Sequence, residues 1–263
     1  MPVASAGSNQ AGGSDNVIVN HKRAPFDNVL VRRAISMALD RHAWVQAVRH
    51  GGAVISSALP PRPAGLWGLS AADLATVPGY RDPARDKADA RRLLAEAGFG
   101  PGKPLRAELA TRTWGLQVDL AVWVQDQLRQ VGIETTLKQM ESAIWYPAIA
   151  RRDFTIAANL TAVGVDDPDA LLYEQYKCGS LRNATDYCNP EVDRLIELQS
   201  QELDPKKRLT LVLQIQRQLE EDVGKPMLGW RNDYFAAWPS VKNLVPHYVI
   251  YTFGRMQEVW LDR

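Results

Sequence analysis

Long apolar runs are missing from this chain: none approaches the roughly 20 residues a helix needs to cross a bilayer. An excess of one charge is missing too, since 31 Lys and Arg stand against 30 Asp and Glu, for a formal net charge of +1. Phosphate backbones are bound by a basic surplus gathered on one face, so nucleic acid is not expected as a partner. Histidine is scarce. None of His21, His42, His50 and His247 lies near a Ser or Cys in a nucleophile elbow, and none belongs to an HExxH pair. A glycine-rich phosphate loop is also lacking, which weakens an enzyme reading and leaves no cofactor expected.

Cysteine amounts to Cys178 and Cys188, both in the polar loop CGSLRNATDYC. That loop holds no His or further Cys, so no metal is expected there. Spacing alone leaves a short disulfide and two buried thiols equally open. A disulfide would add about 2–3 kcal/mol of stability and would persist only outside the reducing cytosol. Residues 1–16, MPVASAGSNQAGGSDN, lack the basic start and apolar middle of a secretion signal. They read as a flexible polar leader, and the chain as written is expected to stay in the cytoplasm.

What is present begins with residues 25–41, PFDNVLVRRAISMALDR. Asp27 can cap a helix whose apolar stripe is Leu30 or Val31, Ala34, Ile35 and Ala38, with Arg32 and Arg33 expected in water. Asp40 can cap a second helix that Gly51 and Gly52 close. The run SSALPPRPAGLWGLS is a surface crossing, with Leu66 and Trp67 as anchors. Asp82-Pro83 opens a helix with the stripe Ala90, Leu93, Leu94 and Ala97. Between residues 105 and 162, strand, helix, strand, helix and strand follow one another, the first helix carrying Leu116, Leu120, Val124 and Leu128 in register. This pattern predicts a sheet with parallel neighbours. Asp167-Pro168, Asn189-Pro190 and Asp204-Pro205 each place a capping side chain before a proline at the first helical position. From PMLGW onward the runs are short and β-like (FAAW, YVIYTF, EVWLD), a segment that must pack on something else.

Two places could carry chemistry. Asp166, Asp167 and Asp169 could hold a cation or act as an acid/base pair, but one is needed as a cap and acids at a helix start are favoured by its dipole. Structural use is the simpler reading. Arg112 ends a strand just before a returning helix, and ligands gather beyond the carboxyl ends of strands in open α/β sheets. An Arg there can hold a carboxylate through two parallel hydrogen bonds. Without further information it reads more readily as a surface arginine paired with an acid. Trp114, Trp145 and Tyr146 fall where they can line the same mouth.

NVIVNHKRAPFDNVLVRRAISMALDR, DPARDKADARRLLAEAGF, QLRQVGIETTLKQ, VGVDDPDALLYEQYKCGS, YCNPEVDRLIELQS, DPKKRLTLVLQIQRQLEEDVGKP and VKNLVPHYVIYTFGRMQEVWLDR occur in this order. The ordered set resembles the second lobe and C-terminal tail of family 5 solute-binding proteins, the peptide, opine and nickel receptors of ABC importers. The resemblance implies an α/β fold, a mixed sheet flanked by helices that forms one lobe of a class C periplasmic-binding-protein clamshell. It divides the chain into a leader (1–16), a solute-binding lobe (17–232) and a tail (233–263) that in relatives packs on the first lobe. The first lobe and its signal peptide are not expected within this chain, and the parent protein would be periplasmic.

The implied activity is non-catalytic binding of a peptide, an opine or a similar small solute. The implied partner is an ABC permease, reached through the full-length parent, and the unsupported tail leaves self-association open. Arg112 matches a family arginine that holds a ligand carboxylate, with Trp114 beside it. Peptide-binding members carry a Gly-Trp and then an Asp that pairs with the peptide amino group. Thr161 and Gly164 stand at the Trp and Asp places here, which puts a peptide ligand in question unless Asp166 substitutes. Exported relatives carry a similar CGS…YCNPEVD loop, which implies a Cys178–Cys188 disulfide. The resemblance also places the hinge near residues 17–20 and 228–231. Two other classes are a standalone dimerising module and a hydrolase using Asp166 and Asp169.

Overall fold

Runs of Ala, Ile and Leu that alternate with amphipathic helices determine the centre of this molecule. A computed structural model describes residues 5–63, 65–162, 164–244 and 256–262. Strands β1 (Ser5–Val19), β2 (Ala53–Ile55), β3 (Leu105–Arg112), β4 (Ile133–Met140), β5 (Ile156–Ala162) and β6 (Met227–Ala237) form one sheet in the order β2-β6-β1-β5-β3-β4. β3 runs parallel to β4 and β5, as the alternating pattern predicts, because α5 (Gly115–Arg129) and α6 (Ser142–Ala150) provide the crossovers. β1 is antiparallel to both β5 and β6, so the sheet is mixed.

Side chains on a strand alternate between faces, and the two faces are covered differently. On one, Val17, Val19, Leu109, Ile156 and Ala158 pack with Ala34 and Ile35 of α1 (Val29–Ala38), Leu93 of α4 (Pro83–Glu96) and Leu120, Val124 and Leu128 of α5. On the other, Ile18, Ala110 and Ala157 pack with Trp145 and Ala148 of α6 and with Phe154. The remaining helices are α2 (Arg41–Ala47), α3 (Ala71–Leu74), α7 (Pro168–Gln175), α8 (Pro190–Gln201) and α9 (Pro205–Asp222). Asp82, Asp167, Asn189 and Asp204 each cap a helix with proline in its first turn. Cys178 and Cys188 form a disulfide across the loop between α7 and α8. Val241–Lys242 and Trp260–Leu261 pair as a separate two-stranded ribbon, while the run YVIYTF lies outside the described residues.

Several expectations are corrected. Residues 5–16 are not a flexible leader: they belong to β1, with residues 5–10 paired to β6 and 13–16 inside the sheet. Gly, Ser and Asn have little strand preference of their own, and pairing to an existing strand overrides it. β6 runs across the proposed boundary at residue 233, so no break in structure separates lobe from tail there. The hinge placed at 17–20 and 228–231 falls on buried central strand, where Val17, Val19 and Leu228 are wholly enclosed. The N-cap of α1 is Asn28, accepting from Leu30 N at 2.9 Å, and not Asp27. Arg32 is buried instead of solvated, its Nη1 donating to the carbonyls of Phe26 at 2.9 Å and Asp27 at 2.8 Å. Leu116 and Leu66 are exposed, whereas Trp67 does anchor the Pro-rich crossing.

Two positions yield direct tests. Gly229 has φ +156°, and a Cβ there would meet the Val54 carbonyl oxygen at 2.2 Å. Gly229→Ala is therefore expected to cost about 2–3 kcal/mol, read as a lowered midpoint in thermal melts followed by circular dichroism. Lys225 is buried, with its Nζ donating to Gln175 Oε1 and lying 5.0 Å from the Tyr176 ring centroid. Burial pushes its ammonium from 10.5 down to about 7. The unfolded chain holds that proton up to its higher pKa, so this lysine makes stability rise with pH between about 7 and 10.5 and adds no slope below. Lys225→Met should remove the slope and gain about 1–3 kcal/mol at pH 7, a difference that urea denaturation at pH 7 and pH 9 resolves.

Candidate functional site

The face that carries Ile18, Ala110 and Ala157 turns polar along its strands. In β1 the same-face residues after Ile18 are Asn16 and Ser14, and in β5 those after Ala157 are Asn159 and Thr161. Their side chains form a ladder. Asn16 Nδ2 donates to Thr161 Oγ1 at 3.0 Å, Asn159 Nδ2 donates to Asn16 Oδ1 at 3.0 Å, and Ser14 Oγ donates to the Thr161 carbonyl at 3.4 Å. Ser14 and Asn16 are fully enclosed, while Asn159 and Thr161 are partly open. Extending the β3–β5 register places Arg112 level with Asn159 and on this face, with Met140 of β4 on its other side.

Arg112 stands between two aromatic rings. Its guanidinium carbon lies 4.7 Å from the Trp114 ring centroid and 5.5 Å from that of Tyr146, and its Nη1 donates to Tyr146 Oη. Trp114 is 42% exposed and Tyr146 59%, so the arginine sits in an open aromatic bracket at the carboxyl end of β3. Nothing acidic pairs with Arg112 within 4 Å among the described residues, and its Nε is buried without an acceptor. A surface ion pair, the simpler reading from sequence, is not what forms. The guanidinium has more donors than the protein uses, in a setting suited to a planar anion. Trp145, in contrast, is core.

Gly164 and Asp166 follow β5, at the same end of the sheet as Arg112. Gly164 is exposed and offers no side chain. Asp166 Oδ2 accepts from Leu66 N at 3.1 Å and its carbonyl accepts from Trp67 Nε1 at 3.2 Å, so this residue pins the Pro-rich crossing to the sheet end. Burial pushes its carboxyl above the ordinary range and the nearby Asp167 adds to that, against the Leu66 N–H.

Asp167 caps α7 and accepts from Arg208 Nη1 and Nη2 at 3.0 and 2.8 Å. Its burial raises the pKa, but those bonds and the Asp169 N–H outweigh it and hold the carboxyl below its usual value. Asp169 accepts from Ser200 Oγ at 2.6 Å and from Gln199. The acidic cluster is thus engaged in holding α7, α8 and α9 together.

Of the residues singled out from sequence, Arg112, Trp114, Tyr146 and Thr161 come together on this face, Gly164 and Asp166 lie beyond the end of β5, and Ser14, Asn16 and Asn159 of the same face were not singled out. A signal was present: in β1 and in β5 polar residues recur at every second place on the face that begins apolar, and only a strand gives that spacing a meaning.

The family model described as "Bacterial extracellular solute-binding proteins, family 5 Middle" matches residues 5–183. The chain is 28% identical over 207 residues to the periplasmic oligopeptide-binding protein OppA of Salmonella typhimurium, covering 78% of this chain and 37% of that protein. It is 27% identical over 197 residues to the probable deoxycholate-binding periplasmic protein YgiS of Escherichia coli, covering 74% and 36%. Among solved structures, Haemophilus influenzae OppA in complex with the peptide RPPGFSPFR superposes with a TM-score of 0.83 at 20% identity, over 98% of this chain and 50% of that one. The chain thus spans between about a third and a half of the length of the relatives it matches. On the family match and the shared fold together, this chain belongs to the bacterial extracellular solute-binding proteins, family 5.

Proposed function

We propose that this chain is a solute-binding lobe of an ABC-importer receptor and that its solute lies on the polar face formed by Arg112, Trp114, Tyr146, Asn159 and Thr161. The observation that carries the reading is Arg112: a guanidinium bracketed by two exposed aromatics, with no acidic partner among the described residues and a ladder of amides and hydroxyls beside it. Such a face holds a carboxylate at one end and neutral polar groups along its length. The solute is a peptide or another small carboxylate. Nothing at Thr161 or Gly164 supplies a charge for a free amino group, and Asp166 is turned to Leu66 N with one oxygen, so the reading rests on the carboxylate and not on an amino terminus.

Uptake of this kind works by closure of two walls on the solute. Among the described residues, 5–9 and 233–237 pair as strands only with each other, beyond the last residues that β5 and the chain leading into β2 reach. That two-stranded ribbon, free of lateral partners, is where a hinge would absorb the backbone change. The whole receptor would then present its closed form to a permease on the outer side of the cytoplasmic membrane, a compartment that also suits the Cys178–Cys188 disulfide. Self-association is a second reading, supported by Tyr234, Trp238, Trp260 and Leu261, each more than half exposed. A sedimentation coefficient that grows with concentration would favour it.

The carboxylate assignment is tested by calorimetry with trialanine, its C-terminal amide and its N-acetyl form. Trialanine and the N-acetyl form should bind alike, and the amide about tenfold or more weakly. Equal binding of acid and amide would contradict the role given to Arg112.

A further inference from the structure

A cavity of about 540 Å³ opens on the other side of the molecule, where α1 and α4 meet α3 and α9. Its size is that of a small-molecule site. Met37, Leu69, Val77 and Leu93 supply apolar walls. The arginines at its edge are engaged: Arg217 pairs with Asp73 at 2.9 Å, Arg92 with Glu96 at 2.6 Å, and Arg33 donates to the Glu221 carbonyl at 3.0 and 3.1 Å.

Glu220 is the exception. Its Oε1 accepts from Tyr80 Oη at 3.0 Å, and its second oxygen accepts from no described residue. The nearest buried cation, Arg41, lies 3.9 Å over the Tyr80 ring. Arg41 is committed elsewhere: it donates to the carbonyls of Ser36, Leu39, Gly79 and Met227 and to Ser36 Oγ. Burial raises the Glu220 carboxyl to about 7, against Arg41 and the Tyr80 hydrogen bond. Glu220 is thus a half-buried carboxyl on the wall of a roomy cavity, with Arg41 as its cationic neighbour but no direct ion pair, and a cation in the cavity would meet its second oxygen.

We propose that this cavity is a second binding site, distinct from the solute face, for a small amphipathic amine whose ammonium meets Glu220 and whose apolar body lies on Met37, Leu69, Val77 and Leu93. An anion is disfavoured because the arginines are taken and Glu220 and Glu221 both line the space. The inference goes beyond the proposed receptor function and does not depend on it.

The test uses phenethylamine and 2-phenylethanol, which share an apolar body and differ in charge, titrated into the chain at pH 8 by calorimetry. The amine should bind about tenfold or more tightly than the alcohol, as a charge-assisted hydrogen bond would give. Glu220→Gln keeps the size of the side chain and an acceptor for Tyr80, and it should erase the preference. Val77→Trp fills the cavity and should abolish both, whereas Arg112→Ala should change neither. Equal binding of amine and alcohol, an amine preference that survives Glu220→Gln, or no measurable binding of phenethylamine would each overturn the proposal.

Discussion

Asp15→Ala is expected to destabilise the chain by about 3–5 kcal/mol, a large part of the 5–15 kcal/mol that typically separates folded from unfolded states. Asp15 lies on β1 with no exposed surface and is the shared acceptor of a buried group. Trp44 Nε1 donates to its Oδ2 at 2.9 Å and Arg49 Nε at 2.6 Å, with Arg231 Nη1 3.8 Å from Oδ1. Removal of the carboxylate leaves the enclosed Arg49 guanidinium without an opposite charge and Arg231 with Asp233 alone at 3.9 Å, and that costs more than the lost hydrogen bonds. The loss would appear as a lowered urea midpoint followed by tryptophan fluorescence. Asp15→Ala with Arg49→Met should recover part of it, since one stranded charge is removed. A single variant as stable as the parent would show that solvent reaches this group after all.

Arg112→Ala should weaken trialanine binding by about tenfold or more, corresponding to the roughly 1.5–3 kcal/mol of a hydrogen bond to a charged group. Binding of the C-terminal amide should hardly change. Arg112→Lys separates charge from shape: an ammonium keeps the charge but loses the planar fork and much of the stacking on Trp114 and Tyr146. It should fall between parent and Ala. Neither variant is expected to shift the melting point by much, because Arg112 is partly open and has no ion-pair partner in the described structure. An unchanged affinity for trialanine in Arg112→Ala would remove the anchor of the site.

Much of the fold was legible because local signals agreed. Asp or Asn before Pro marked three helix starts between residues 167 and 205, and the alternation from Leu105 to Ala162 marked a parallel unit. What could not be read was set by distant partners. Residues 5–10 have no intrinsic reason to be strand, and β6 holds their backbone in place. Arg32 looks like a solvent-facing residue until the Phe26 and Asp27 carbonyls, together with Asp222 O at 3.4 Å, give its guanidinium somewhere to go. The site was half legible on the same grounds. Arg112 is placed by its strand end, but the pairing of Asn16 with Asn159 and Thr161 joins residues more than 140 positions apart, and only strand register brings them together.

The most direct measurement is a nuclear magnetic resonance titration of the isotope-labelled chain with trialanine, following each backbone amide. The account predicts shifts gathered at Arg112, Thr113, Trp114, Asn159 and Thr161, at the carboxyl ends of β3 and β5. Saturating shifts confined to other surfaces, with those amides unmoved, would contradict it.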